Sequence, residues 1–302
     1  MLDKFIKYFD GHYIINFFGI TIRLKSNRAY HFDEPKEVGV INSDRETKII
    51  VSLTSHPKRI KSVIKTIKTL LTQSLKPDKV ILWLAVEQFT NKENNLPIEL
   101  LNLKEYGLSI EWCEDIRSYK KIVPTLIKYP DSIIITVDDD IYYAKDTVEV
   151  LYHSYLNNPK CIHANRCDWL KVVTKEDVIC ERTKELFLDK HRAQCSYRNR
   201  LTGYGAVLYP PNSLHCDVIK KEIFMNIIPT HDDIWLWAMA VLNSTKTVLV
   251  KGYSESINYV EDSQEVGLCK INKKGKGMSI KKAYDEVFKI YPQIVEIVNG
   301  EK

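Results

Sequence analysis

Residues 132–140 read Ser-Ile-Ile-Ile-Thr-Val-Asp-Asp-Asp, and this stretch decides the fold. A run of β-branched apolar residues of this length, preceded by Pro130 and Asp131, predicts a buried central strand. The strand runs directly into Asp138, Asp139 and Asp140, here called the aspartate triplet. Because ligands of open α/β sheets bind beyond the carboxyl ends of the strands, the triplet is expected to lie at a ligand site.

Three adjacent carboxylates repel one another, so the triplet needs positive charge nearby. Hard divalent cations such as Mn²⁺ or Mg²⁺ bind carboxylate oxygens and keep other positions open for water and substrate phosphates. Asp138 and Asp140 can both reach one ion if the chain turns between them. The alternative is an acidic turn that only ends the strand. We favour the metal site because the preceding run is so strongly strand-like.

Strands and helices alternate on both sides of this stretch. The alternation predicts βαβ units and a mostly parallel central sheet, and hence an α/β fold. Strands are predicted at residues 48–54, 79–85, 108–113, 132–137, 161–165, 203–209 and 246–250. Helices are predicted at residues 57–72, 96–106, 146–156, 230–243 and 280–298, with a short helical or irregular link at 119–129. Residues 168–200 read as a polar insertion whose structure the pattern does not define.

The 302 residues suffice for one large α/β domain with an addition at each end. Residues 46–255 are predicted to form that domain. Residues 1–45 are predicted to be an N-terminal appendage, either a β-hairpin packed on the main domain or an aromatic and basic edge that contacts an anionic membrane; we favour the hairpin. Residues 256–302 are expected to add a basic loop and a C-terminal helix.

The composition argues against a disulfide framework or a zinc site and indicates an ordinary soluble protein. With 44% apolar and 27% charged residues it is that of an ordinary soluble protein, and the net charge of +5 fits an anionic ligand or membrane surface without indicating nucleic acid. Seven cysteines without a Cys-x-x-Cys pair indicate reduced, buried thiols in a cytoplasmic protein, with peripheral contact at the inner face of the plasma membrane as a further expectation. We expect no membrane-spanning helix and no signal peptide.

Basic and hydroxyl-bearing residues occur where an anionic ligand would need them. Thr54 and Ser55 end the first main-domain strand, and Arg59 follows in a helix; such a turn suits an anion or a nucleotide, although the hydroxyls could equally only cap the helix. It has no glycine and is neither a P-loop nor a dinucleotide fingerprint. Lys120 and Lys121 precede the triplet strand, where they would offset a diphosphate, or else form a solvated charge cluster.

A second acidic pair, Asp232 and Asp233, opens the most apolar predicted helix. Thr230 followed by Asp233 is close to a capping box, so these acids could only cap the helix. A helix that is apolar nearly all round must be buried, however, and its first carboxylates would then lie at the floor of a cleft. A partly desolvated carboxylate has a raised pKa and suits general-base catalysis. Both interpretations stay open on this motif alone.

Two further features of the sequence bear on ligand binding. Gly203, Tyr204 and Gly205 open another predicted strand, where the glycines allow a ligand to approach closely or simply form a tight turn. The candidates for a third protein ligand of the metal ion are His215 and His231.

Five segments together resemble a nucleotide-sugar-dependent glycosyltransferase of the GT-A fold, similar to family 2 and of the kind found in bacterial surface-polysaccharide pathways. They lie within residues 48–250 and read KIIVSLTSHPKR, SYKKIVPTLIKYP, IIITVDDD with its Asp-x-Asp motif, GYGAVLYPP and HDDIWLWAMAVL. Their order and spacing carry the resemblance, because Asp-x-Asp alone is a weak signal. The resemblance implies a Rossmann-like, three-layer α/β/α fold with a mostly parallel central sheet.

The resemblance also implies roles for individual residues. Asp138 and Asp140 would hold Mn²⁺ or Mg²⁺ against the diphosphate of a nucleotide-sugar donor, with UDP-sugars expected. Asp139 would contact the donor ribose or sugar. Asp233 would deprotonate a hydroxyl of a glycan or lipid-linked acceptor, with Asp232 as the weaker candidate. The other donor-binding residues would be Thr54, Ser55, Arg59, Lys120, Lys121, Tyr204 and Gly205.

Two acidic sites suit this chemistry. A departing diphosphate needs a metal ion and lysines to stabilise its charge, and the acceptor alcohol needs a base. In-line displacement would give inversion, whereas retention stays open if Asp233 is only a cap. The family's acidic residue at the end of the second strand is missing here, so the nucleobase contact is unassigned. Alternatives are a sugar nucleotidyltransferase, against which the lack of a Gly-rich loop counts, and a non-catalytic glycan-binding protein.

Overall fold

The computed structural model describes residues 6–9, 12–17, 20–25, 32–42, 44–181, 194–250, 258–261, 263 and 278–301; of these, residues 6–9, 12–17, 20–25 and 181 are described by backbone only. The strands are β1 (Ile6–Phe9), β2 (His12–Phe17), β3 (Ile20–Lys25), β4 (Ile49–Thr54), β5 (Lys79–Ala85), β6 (Leu108–Cys113), β7 (Ile133–Thr136), β8 (Ile141–Tyr142), β9 (Ile162–Ala164), β10 (Cys167–Val173), β11 (Val178–Glu181), β12 (Asn199–Leu201), β13 (Val207–Tyr209), β14 (Thr247–Leu249) and β15 (Asn258–Tyr259). The α-helices are α1 (Val63–Leu70), α2 (Ile98–Asn102), α3 (Val123–Lys128), α4 (Thr147–Asn157), α5 (Lys221–Ile227), α6 (Asp232–Leu242), α7 (Ile280–Ile290) and α8 (Gln293–Asn299).

A seven-stranded sheet in the order β14-β9-β13-β7-β4-β5-β6 forms the centre of the fold. β4 pairs in parallel with β5 and β7, β5 with β6, and β9 with β14. Only β13 runs against the others in this sheet, between β7 and β9. The predicted α/β fold with a mostly parallel central sheet is therefore confirmed.

Helices cover both faces of this sheet and make three layers. On one face, α1, α2 and α4 pack with Leu208 of β13 and with Ile133 and Ile135 of β7. On the other face, α6, α7 and α8 pack with Val207 and Tyr209 of β13. Neighbouring β13 side chains thus point to opposite faces, as the strand period of two requires. Burial on both faces explains why β4, β5 and β7 read as nearly unbroken apolar runs.

Helix α6 is buried nearly all round, as its composition predicts. Residues 234–241 are all buried. The helix begins at Asp232 with His231 as its N-cap, and the buried Thr230 Oγ1 has no hydrogen-bond partner. The capping box that Thr230 and Asp233 would form is therefore absent, which leaves the Asp233 side chain available for other contacts.

Several predicted boundaries differ from the structure, and three of them have a clear local reason. The helix expected at 57–72 spans only Val63–Leu70, because the residues before it form turns that bring Arg59 to the triplet. The strand expected at 203–209 is only Val207–Tyr209, because Gly205, with φ of 107°, lies in a turn. The helix expected at 280–298 is divided into α7 and α8, since Pro292 cannot continue the α7 hydrogen bonds.

The polar insertion contributes a second sheet and a disulfide. Strands β11, β10 and β12 form an antiparallel sheet. Cys161 and Cys195 are disulfide-bonded with their Cα atoms 6.4 Å apart, so the expectation of reduced thiols is wrong for this pair. The reason is long-range pairing: Ile162 and Ser196, their chain neighbours, both pair with Thr247.

The N-terminal strands β1, β2 and β3 form a three-stranded antiparallel sheet, so the expected hairpin carries a third strand. Its contact with a membrane stays a prediction. The lysines of the basic loop at 270–276 lie outside the described residues. No helix in the described part of the chain is both long and apolar enough to cross a membrane.

Candidate active site

The aspartate triplet follows β7 at the edge of the sheet where the parallel strands end. β7 pairs in parallel with β4, so Ser55, which follows β4, lies at the same edge. The side chains of Asp139 and Asp140 are 9% and 11% exposed, whereas that of Asp138 is 30% exposed. Asp138 is therefore the carboxylate of the triplet that is most open to a ligand.

Arg59 and Ser55 hold the buried part of the triplet. Arg59 Nη1 donates to Asp139 Oδ1 at 2.6 Å and lies 3.0 Å from Asp140 Oδ2, and Ser55 Oγ donates to Asp139 Oδ2 at 2.6 Å. Although burial disfavours the charged guanidinium, the two carboxylates raise the pKa of Arg59. Both oxygens of Asp139 are engaged, so a donor would share this carboxylate with Ser55 and Arg59; its donor contact stays a prediction.

Lys121 joins the triplet to the second acidic pair. It ends the 3-10 helix Arg117–Lys121, and its buried Nζ lies 2.9 Å from Asp138 Oδ1 and 3.1 Å from Asp232 Oδ2. Ser118 of the same turn donates to Asp232 Oδ1 at 2.9 Å. Two carboxylates that are far apart in sequence therefore share one ammonium group.

Asp233 has a different environment from its neighbour Asp232. The Gly203 amide donates to Asp233 Oδ1 at 2.9 Å, and burial, followed by the charge of Asp232, raises the pKa of Asp233 to about 7. Burial alone would raise the pKa of Asp232 too, but the Lys121 ammonium holds it below its usual value. Asp232 thus stays ionised while Asp233 exchanges a proton near neutral pH, which is the property a general base needs.

The charges around the triplet fit a divalent cation. In the part of the chain that the structure describes, the three triplet carboxylates and Asp232 form ion pairs with two basic side chains, Arg59 and Lys121. An oxygen-only donor set with excess negative charge suits Mn²⁺ or Mg²⁺ better than a soft transition metal. Asp138 and Asp140 are the residues that would hold the ion.

Among the described residues, neither His215 nor His231 forms a three-ligand group with the triplet aspartates. Within the described residues, three potential ligand atoms come within 4.8 Å of one another only at His215, Cys216 and Asp217, which lie apart from the triplet. His231 Nε2 lies 2.8 Å from the Met278 carbonyl and therefore donates to it. Protein coordination at the triplet would thus come from aspartates, with water and phosphate oxygens at the other positions.

Two predicted donor-binding residues are engaged away from the triplet. Thr54 Oγ1 donates to the Trp83 carbonyl at 2.9 Å, which fastens β4 to β5. Lys120 Nζ lies 2.6 Å from Asp115 Oδ1, beyond the end of β6. Of the neighbouring lysines, the structure therefore brings Lys121 to the triplet and turns Lys120 to another carboxylate.

The Gly-Tyr-Gly turn lies beside the second acidic pair. The Tyr204 ring packs under the Arg166 guanidinium at 4.5 Å and against the Tyr259 ring at 5.3 Å. The Gly205 carbonyl accepts from Asn165 Nδ2 at 2.8 Å. The turn is held by these contacts, and the donor-binding roles of Tyr204 and Gly205 stay predictions.

Sequence reasoning missed three residues of this site. Ser118 bonds Asp232, Tyr143 OH accepts from the Asp138 amide at 2.8 Å, and the Ser263 carbonyl accepts from Arg59 at 2.9 Å. Ser118 stands in the SYKK segment and could have been found by its spacing from Lys121. Ser263 comes from the C-terminal region, and no local pattern points to it.

No protein-family model matches the chain, and no curated protein matches it in sequence. Among solved structures, it is similar to a mannosyltransferase from Pyrobaculum calidifontis in complex with GDP-Man and Mn²⁺, at 12% identity over 85% of this chain and 74% of that chain, with a TM-score of 0.47. It is also similar to S. aureus TarS 1–349, at 12% identity, 70% and 60% coverage and a TM-score of 0.44.

A CMP:2-keto-3-deoxy-manno-octonic acid synthetase complexed with CTP is similar at 14% identity, over 68% of this chain and 90% of that chain, with a TM-score of 0.36. All three identities and TM-scores are low.

Proposed function

We propose that this protein is a metal-dependent glycosyltransferase that moves a sugar from a nucleoside-diphosphate donor to an acceptor hydroxyl. The observation that carries the proposal is that two acidic groups in different environments come together. The triplet offers carboxylates paired with Arg59 and Lys121 at a strand end, and Asp233, whose pKa is raised to about 7, lies within the same charged cluster. One group suits metal binding, and the other suits proton transfer.

The triplet side would bind the donor. Asp138 and Asp140 would hold Mn²⁺ or Mg²⁺, whose charge stabilises the diphosphate as it departs. Lys121 and Arg59 add fixed positive charge at the same edge of the sheet. Such charges, already in position before the reaction, stabilise a leaving group without the cost of reorganisation.

The α6 side would activate the acceptor. Asp233 takes the proton of the acceptor hydroxyl while the hydroxyl oxygen forms a bond to the anomeric carbon of the sugar. The bond from that carbon to the diphosphate oxygen breaks, and the electron pair leaves with the nucleoside diphosphate. Asp232, kept ionised by Lys121, disfavours a second negative charge on Asp233 and so maintains its basicity. Attack from the side opposite to the leaving group gives inversion.

The finer assignments belong to this proposal as well. We assign a UDP-sugar as the donor, a glycan or lipid-linked oligosaccharide as the acceptor, and bacterial surface-polysaccharide synthesis as the setting, on the resemblance of the five segments. The net charge of +5 is compatible with an anionic, lipid-linked acceptor at a membrane surface.

A thermal-shift screen tests the donor class. The purified protein is heated with UDP-, GDP- or TDP-sugars, each with Mn²⁺, with Mg²⁺ or with a chelator. We expect one nucleotide to raise the midpoint only when a divalent ion is present, because a ligand that binds the folded state alone stabilises it. Asp138→Ala should remove the shift, whereas Asp285→Ala, on the distant helix α7, should keep it. A nucleotide shift that is unaffected by the chelator would contradict the metal-dependent site.

A further inference from the structure

Lys121 contacts both acidic groups of the site. Its ammonium group is within ion-pair distance of one donor-side carboxylate, Asp138, and one base-side carboxylate, Asp232. The side chain is only 7% exposed, so water contributes little to the stabilisation of its charge. Asp138 and Asp232 are therefore its main partners. Lys121 thus links the segment after β7, proposed to bind the donor, to the start of α6, proposed to supply the base.

The packing around this ammonium group leaves little room. A Cβ atom at Gly203 would lie 2.7 Å from Lys121 Nζ and 2.9 Å from Asp233 Oδ1. Lys121 thus packs against the backbone that also donates to the proposed base. A shift of Lys121 would therefore change the packing at Gly203 and, through it, the hydrogen bond that the Gly203 amide donates to Asp233.

A divalent ion bound to Asp138 would come close to Lys121. The two cations would repel each other strongly, because charges interact more strongly at a buried site than in bulk water. Asp138 Oδ1 is the atom that Lys121 contacts, so the ammonium group and the ion draw on the same carboxylate. Asp232 offers Lys121 a second carboxylate on the base side.

We propose that Lys121 is an internal counter-ion that competes with the metal ion for Asp138 and shifts toward Asp232 when the ion binds. This inference rests on the proposed function, because it needs a metal ion at the triplet. It makes Lys121 a positioning residue that couples occupation of the donor site to the charge around Asp233. Metal binding and preparation of the base are then linked through one side chain.

Mn²⁺ binding without nucleotide tests this role, measured by the electron paramagnetic resonance signal of free Mn²⁺. Lys121→Met should bind Mn²⁺ roughly tenfold more tightly than the wild type, because a competing cation is removed. Lys121→Arg, which keeps the charge, should bind with about the wild-type affinity. Lys120→Met is the matched control, since Lys120 pairs with Asp115 and not with the triplet, and its Mn²⁺ affinity should stay unchanged.

A second comparison isolates the part played by Asp232. Asp232→Asn should weaken Mn²⁺ binding more in the wild type than in Lys121→Met. In the wild type, Lys121 loses its alternative partner and competes more strongly for Asp138, whereas Lys121→Met has no ammonium group to compete. Equal losses in both backgrounds would overturn the coupling. Circular dichroism shows whether each variant is folded, and the uncharged Lys121→Gln carries the comparison if Lys121→Met is not folded.

The outcomes separate this inference from the proposed function. If the wild type binds Mn²⁺ and Asp138→Ala abolishes binding, equal affinities of the wild type and Lys121→Met overturn the role of Lys121 alone. If Mn²⁺ binds only to Lys121→Met, the competition is supported and the ammonium group blocks the site in the resting protein. If neither binds Mn²⁺ without nucleotide, the competition at Asp138 is overturned, and the thermal-shift screen with nucleotide separately decides the metal-dependent function.

Discussion

The backbone amide of Gly203 donates a hydrogen bond to Asp233 Oδ1 at 2.9 Å, and the lack of a side chain at Gly203 makes room for this contact. Gly203→Ala would place a Cβ too close to both Asp233 Oδ1 and Lys121 Nζ. These are the ends of side chains and can move, so the fold should persist while the base is displaced. We expect kcat to fall roughly tenfold to a hundredfold, with little change in the melting temperature.

Gly300→Ala is the matched control for this change. A Cβ at Gly300 meets the Glu296 carbonyl oxygen at 3.1 Å, far from the site, and we expect unchanged turnover. Wild-type kcat in Gly203→Ala would show that the Gly203 contact does not position Asp233.

Arg59→Met should destabilise the fold. It would leave Asp139 and Asp140 buried without the guanidinium that stabilises their charges. Breaking a buried ion pair from one side typically costs about 3–5 kcal/mol, and we expect a loss of about 3 kcal/mol in the free energy of unfolding measured in urea.

Lys65→Met provides the comparison, because the Lys65–Glu261 pair is 46% exposed on both sides. An exposed pair is worth at most about 1 kcal/mol, so this variant should unfold at nearly the wild-type urea concentration. Equal effects of the two substitutions would show that the Arg59 contacts do not stabilise the triplet.

The raised pKa of Asp233 predicts a pH dependence of turnover. The base must be deprotonated, so kcat should rise with pH to a plateau, with a midpoint near 7, and fall about tenfold per pH unit well below it. A pH–rate profile with saturating donor measures this midpoint. A base with this pKa titrates within ~2 pH units of the midpoint. If kcat is constant across that range, Asp233 is not the general base.

The same pKa has a consequence for stability. The folded pKa lies above that of an unfolded aspartate, so between about pH 4 and pH 7 the folded protein binds more protons at Asp233 than the unfolded chain does. This stabilising contribution is complete below pH ~4 and is lost as the pH rises through 7. As the pH rises over this range, the unfolding free energy of the wild type should therefore fall relative to that of Asp233→Asn. A constant difference in urea titrations would contradict the raised pKa.

The Cys161–Cys195 disulfide predicts sensitivity to reductant. Reduction should lower the free energy of unfolding by about 2–4 kcal/mol, because the cross-link restricts the unfolded chain. Calorimetric scans with and without a thiol reductant measure the change. In a Cys161→Ser/Cys195→Ser variant, reductant should have no effect, and an equal shift there would assign the sensitivity to other thiols.

The central part of the fold was predictable because its signals are local. The runs at β4, β5 and β7 are apolar and end at clear breaks, and a strand buried on both faces shows this pattern directly in the sequence. The helix at 230–243 was predicted for a similar reason, since its apolar residues leave no polar face. Shorter elements of the second half, such as β12, lack such runs because pairing partners far along the chain define them.

The candidate site was predictable in its acids and less so in its contacts. Asp138 and Asp233 stand out because each follows or begins a strongly patterned element. The sequence does not show that Lys121 contacts Asp138 while Lys120 turns to Asp115, since that choice depends on how a 3-10 helix places two adjacent side chains. Long-range packing decides such contacts, and spacing alone does not reveal them.

Donor turnover tests the central claim most directly, with the nucleotide-sugar that the thermal-shift screen selects. Release of nucleoside diphosphate in the presence of Mn²⁺, together with donor binding by calorimetry, is measured for the wild type, Asp138→Ala and Asp233→Asn. We predict that the wild type binds and turns over the donor, that Asp138→Ala does neither, and that Asp233→Asn binds the donor normally but releases almost no product. Wild-type turnover in Asp233→Asn, or metal-dependent donor binding in Asp138→Ala, would contradict the division of labour between the two acidic groups.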